Sequence, residues 1–178
     1  MALETGSEGS VVKLDWIYSE GGPLVCGGVA AVAAWQGANG SSVGMADTDY
    51  ERACDTIDYL SILLSGAGVI LVLGDEPMQS SFAATGNCLC VVRWIACTSQ
   101  EQAISAIARL PATLDELEAP LDFRLDEYEL VMFDAAASGT ATVTKASSPL
   151  PPGSYRVTTE SYKEKGRFEF LVHRFLRS

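Results

Sequence analysis

The sequence predicts a β-rich α+β fold, a mostly antiparallel sheet or sandwich of about eight strands with two helices. Three observations carry this. Short apolar or alternating runs recur between turn residues, only two segments combine helical periodicity with a capping signature, and strands follow one another through turns instead of regular crossover helices.

The first ten residues, MALETGSEGS, lack apolar periodicity and read as a flexible tail, leaving residues 11–178 as a single domain. VVKLDWIYSE alternates at Leu14, Trp16 and Tyr18, as a half-buried strand does, and Gly21, Gly22 and Pro23 turn the chain. LVCGGVAAVAAWQ, residues 24–36, is small and apolar throughout and fits a short strand followed by a helical turn; GANGSSVG is a loop. Thr48 and Glu51 form a T-x-x-E capping box that starts the first helix. Tyr50, Ala53, Cys54, Ile57 and Leu60 follow helical spacing as a buried stripe, and Glu51, Asp55 and Asp58 form an acidic ridge on the other side.

Two apolar runs around Gly66 and Gly68 read as strands, the second of them, Val69 to Leu73, fully buried, and GDEP closes that strand as an acidic turn. NCLCVVRWIAC is a strand with Leu89, Val91 and Arg93 on one face and Cys88, Cys90, Val92 and Trp94 on the other. The second helix covers about residues 99–110, with Ser99 and Gln102 as its capping box, Ala103, Ile104, Ile107 and Ala108 as its apolar face, and Pro111 as its stop. LDFRLDE and YELVMFD read as one strand pair. SYRVTTESY and FEFLVHRFL read as a second pair, introduced by the turn SPLPPG and joined through KEKG.

An apolar share of 48% and a charged share of 20% exclude a wholly disordered chain. No apolar run is long enough to span a bilayer, and the acidic N-terminus lacks the basic start of a leader, so the expected location is the cytoplasm. The five cysteines include no C-x-x-C pair and His173 is the only histidine, so the cysteines read as buried reduced thiols and no metal or other cofactor is expected. Charge is uneven: residues 1–134 hold 20 acidic against 5 basic side chains and residues 135–178 hold 3 against 7, for a net charge of −11. An acidic body repels nucleic acid and anionic membrane and attracts basic partners.

No motif argues for catalysis. GSSVG at Gly40 to Gly44 spells a nucleophile elbow around Ser42, but no strand leads into it and the capping box comes only at Thr48. His173 sits inside a strand without a neighbouring nucleophile and reads as structural. Asp75 and Glu76 could serve as paired carboxylates, but their place before Pro77 marks an exposed turn. Trp16 and Trp35 read as core before interface anchors.

Six stretches occur in one order: WIYSEGGPL (Trp16 to Leu24), W-x-G (Trp35 to Gly37), DYERAC (Asp49 to Cys54), LVLGDEP (Leu71 to Pro77), VRW (Val92 to Trp94) and LPPGSYRV (Leu150 to Val157). That series resembles the immunity protein 21 family of bacterial polymorphic toxin systems, whose W-I-x-x-x-G-G-P-L opening is its most recognisable feature. The resemblance runs from Trp16 to Arg177; CGGVAAVAA departs from it, with alanine and glycine where bulkier apolar residues and proline are expected. It implies a small, mostly β, non-enzymatic cytoplasmic protein, encoded beside a toxin, that binds the toxin domain and protects the producing cell. Glu51, Asp55, Asp58, Asp75 and Glu76 are the expected toxin-binding residues, chosen for their charge. The alternatives from other classes are an acidic β-rich ligand-binding module and a small hydrolase using Ser42 or the Asp75 and Glu76 pair.

Overall fold

A computed structural model of the chain describes residues 12–66, 68–74, 78–86 and 88–178; the expected tail at 1–10 lies outside the described residues. Among these, the order is β1 (Leu24–Gly28), α1 (Val29–Ala34), α2 (Asp49–Cys54), β2 (Leu60–Ser65), β3 (Gly68–Leu73), β4 (Ser80–Thr85), β5 (Cys88–Cys97), α3 (Gln100–Ile107), β6 (Asp115–Glu116), β7 (Leu121–Leu125), β8 (Glu129–Asp134), β9 (Ala146–Pro149), β10 (Gly153–Glu164) and β11 (Phe168–Arg177). No described helix is long and apolar enough to cross a membrane.

Two antiparallel sheets result. The first runs β2-β3-β1-β8-β9 and the second β4-β5-β11-β10-β6, with β7 also paired to β10. The period of two dictates how they stack. Leu24, Cys26, Leu71, Leu73, Leu130 and Met132 from the first sheet meet Phe82, Leu89, Val91, Phe123, Val157 and Phe175 from the second in one buried cluster. The alternate residues point outward. Val25, Ile70, Val72 and Phe133 pack under Val32 of α1, Trp35 and Ala53 of α2. Cys90, Val92, Phe170 and Val172 pack under Ala103, Ala106 and Ile107 of α3. The molecule is a four-layer α/β/β/α stack, β-rich and antiparallel as the sequence predicts.

Several local expectations change. Residues 12–20 form no strand; they make an isolated bridge between Ile17 and Ser80, Leu14 and Ile17 are buried, and Tyr18 is 74% exposed. Beyond the bridge the Ser19 hydroxyl donates to the Gly22 carbonyl within the bend that leads to β1. LDFRLDE and YELVMFD do not pair with each other. β7 pairs with β10 and β8 with β1, so Phe123 and Leu130 face each other across the sandwich. The Glu127 carboxylate between them accepts from the Ala30 N–H at the start of α1, fixing the crossing point. Residues 24–34 are the predicted strand and helical turn, and the β10 and β11 hairpin is present. In α3 the buried residues are Ala103, Ala106 and Ile107; Ala108, expected on the apolar face, is exposed, because the helix ends at Ile107, about three residues before the expected end, and Ala108 is its C-cap.

The strands β4, β6 and β9, at or near sheet edges, are additional to the expected ones; β9 ends on Pro149, tolerated where no further strand needs its missing N–H. The cysteines form no disulfide, but only Cys26 and Cys90 are buried. Cys54 is exposed, and Cys88 and Cys97 are half-buried, contrary to the expectation of uniformly buried thiols.

Candidate functional site

The acidic segment that starts at Thr48 is built around one buried carboxylate. Asp49, fully buried, accepts from the Gln36 N–H at 2.8 Å, from the Ser42 N–H and Oγ at 3.0 Å each, and from the Arg52 guanidinium at 3.0 Å. Arg52 donates onward to the Leu64 carbonyl at 2.7 Å and lies 3.7 Å from the Met45 sulfur. A buried charge needs this degree of pairing. The cluster ties the loop before α2 to α2 and to β2, and it consumes the positive charge of Arg52.

Ser42 is thereby accounted for. It follows a 3-10 turn at Gly37–Asn39, its hydroxyl donates to Asp49, and the next helix begins only at Asp49. A strand, nucleophile and helix in direct succession, as an elbow requires, do not occur here.

The predicted ridge changes shape. The capping box at Thr48 and Glu51 is complete, but α2 stops at Cys54, with Asp55 as its C-cap. Ile57, expected in the buried stripe, is 89% exposed, Cys54 is exposed, and Leu60 opens β2. The extended helix fails because β2 must begin at Leu60 to pair with Leu73, so the chain cannot complete a third turn. Glu51, Asp55 and Asp58 are still brought to the surface, from the helix, its cap and the following turn respectively. The Glu51 carboxylate turns back onto the Thr48 N–H at 2.8 Å and its hydroxyl at 2.9 Å, which together hold its pKa below the ordinary value, the backbone N–H foremost.

Exposed Asp47 joins these three, and among the described residues none of the four carboxylates is in an ion pair. Met45, Ile57 and Leu64, respectively 55%, 89% and 62% exposed, supply apolar surface on the same segment and on β2 beside it. Sequence reasoning missed this apolar component, since Ile57 fits a helical stripe and the outward turn of Leu64 depends on strand register. Asp75 and Glu76 lie outside the described residues. Gly74, just before them, sits so close to Asp58 that a Cβ there would be 2.2 Å from the Asp58 carbonyl oxygen.

Between the sheets runs a second polar group. Arg93, on the inner face of β5 as its alternation predicts, donates to the carbonyls of Tyr59 at 3.1 Å and Gly74 at 2.7 Å in the facing sheet. His173 is buried with Nδ1 3.1 Å from Thr159 Oγ1, and Thr159 donates to Glu118 at 2.7 Å. Burial, and secondarily the Arg93 charge, push the His173 pKa well below its ordinary value. Its Nδ1 partner, Thr159, stands opposite it on the adjacent strand β10. Trp35 is wholly buried, its indole N–H donating to the Ala135 carbonyl at 2.9 Å, and Trp16 stands edge-on to Trp94 at 5.2 Å. Trp35 is core; Trp16 is half-buried.

A family model described as Immunity protein 21 matches residues 15–166, a span that contains all six motif stretches. No curated protein and no solved structure matches the chain.

Proposed function

The chain belongs to the immunity protein 21 family, and on that premise we propose that it binds a cognate bacterial polymorphic toxin domain stoichiometrically, in the cytoplasm, and neutralises it. The match over residues 15–166 carries this reading. A net charge of −11 supports it: an acidic body steers a basic protein into contact and disfavours nucleic acid and anionic membranes as competing partners. The exposed carboxylates of Glu51, Asp55 and Asp58, beside apolar Ile57, are the proposed docking surface; Asp75 and Glu76 are proposed as further toxin-binding residues on their charge alone. Charge sets encounter rate there, and the apolar side chains supply desolvated contact. Inhibition in this form needs no chemical step.

The test pairs the purified protein with the toxin domain encoded beside it. A one-to-one complex and protection of cells expressing the toxin are expected; no binding and no protection would overturn the proposed function. The double substitution Asp55→Lys, Asp58→Lys is expected to slow association by about tenfold at low salt while leaving the melting curve close to wild type. Unchanged association, independent of ionic strength, would reject the acidic docking surface while leaving the toxin-binding reading intact.

A further inference from the structure

Cys88 and Cys90 flank Leu89 on β5, so both thiols leave the same face of the second sheet. On the adjoining strand Arg174 stands opposite Cys90 in the β5 and β11 ladder. The Arg174 guanidinium lies 3.8 Å from Cys88 Sγ, and Thr85 Oγ1 lies 3.8 Å from Cys88 Sγ and 3.5 Å from Cys90 Sγ. Cys90 is buried and Cys88 half-buried. A cavity of about 450 Å³ opens over the cluster, lined by Cys88, Arg174 and Arg177 together with apolar Ile107, Leu110 and Phe175.

We propose that Cys88 is a reactive thiol that exchanges with small anionic disulfides admitted by this cavity and is thereby converted to a mixed disulfide. The Cys88 thiolate attacks one sulfur of the reagent. A new sulfur–sulfur bond forms to Cys88, the bond within the reagent breaks, and the departing thiolate leaves with its electron pair and takes a proton from water according to its own pKa. The disulfide is the oxidant, so no further reactant is needed.

The surroundings favour the ionised form. Hydrogen bonding from the Cys90 thiol, then from Arg174 and Thr85, outweighs partial burial and brings the Cys88 pKa down to about 5. Cys90 is pushed up by the same pairing and by burial, so it remains the protonated donor. The other charged groups at the cluster are Glu160, which pairs with Arg174 at 2.9 Å, and Arg177 in the cavity wall. With Arg174 held by Glu160, Arg177 is the wall guanidinium that suits an anionic reagent.

Ionisation and nucleophilicity oppose one another. At pH 6 such a thiol is roughly 300-fold more ionised than an ordinary one of pKa about 8.5, while its weaker intrinsic nucleophilicity costs about 25- to 55-fold, leaving a net advantage of up to about tenfold. The probe is dithiobis(nitrobenzoate), an anionic aromatic disulfide whose released thiolate absorbs visible light. At pH 6 one thiol is expected to react up to about tenfold faster than exposed Cys54, with a rate nearly flat from pH 6 to pH 8. Mass spectrometry should place the adduct on Cys88. Cys88→Ser removes this phase and Cys54→Ser keeps it. Persistence of the phase in Cys88→Ser, or a rate that falls about tenfold per pH unit between 8 and 6 as for an ordinary thiol, overturns the proposal. The measurement uses the protein alone, so it stands apart from toxin binding.

Discussion

Removing one member of the Glu160 and Arg174 pair should damage the protein more than removing both. Arg174 and Glu160 are 5% and 4% exposed on the outer face of the second sheet. The guanidinium reaches the carboxylate at 2.9 and 3.2 Å and donates to the Pro111 carbonyl at 3.0 Å, while the Thr158 hydroxyl donates to the carboxylate at 2.6 Å. Arg174→Met leaves Glu160 ionised with one hydroxyl donor and leaves Pro111 without this donor. Stranding a buried charge costs about 3–5 kcal/mol and a neutral hydrogen bond about 1, so we expect a loss of about 4 kcal/mol. Glu160→Leu strands the arginine and should lose about as much. The double variant strands neither charge and should lose about 2 kcal/mol, far below the sum of about 8. Urea unfolding followed by tryptophan fluorescence measures all three. Single losses below about 1 kcal/mol, or losses that add within about 0.5 kcal/mol, would refute the view that the charges are buried and mutually dependent.

Three other outcomes are expected. His173 stays neutral in the fold far below the pH at which the unfolded chain takes up a proton, about 6.5, so stability should fall as pH drops below that value, by up to about 1.4 kcal/mol per unit. In His173→Gln this component of the slope should vanish; an unchanged slope in denaturation curves between pH 4 and pH 7 would reject the burial argument. A Cβ at Gly139 would sit 1.6 Å from the Val32 carbonyl oxygen, where the Gly139 N–H already bonds the Trp35 carbonyl. Gly139→Ala should therefore lose about 3 kcal/mol and lower the melting temperature by about 6–12 °C, read by calorimetry. Thr48→Ala removes the hydroxyl that caps α2 and should lose about 1 kcal/mol in urea titration, with the β-sheet signal in circular dichroism unchanged.

Alternation along β5 was legible from side-chain order, because a strand has one geometry and its two faces follow from parity. The capping box at Thr48 was legible for a similar reason: both partners lie within four residues. Family membership was legible too, since six short stretches keep their order along the chain. The length of α2 was not. Its periodicity extended to Leu60, but pairing of Leu60 with Leu73 claimed that residue for a sheet. Strand partners also stayed hidden: Phe123 and Leu130 belong to different sheets and meet in the core between them, a pairing set by contacts with the distant strands β10 and β1.

The sequence by itself determined which residues of β5 share a face, where α2 begins, and that the chain carries excess negative charge. Only the tertiary structure decided that Arg174 would meet Cys88, that Arg93 would span two sheets, and that Ile57 would face solvent. The first set depends on neighbours a few residues away; the second depends on contacts between distant segments, whose geometry exists only when both sheets are stacked.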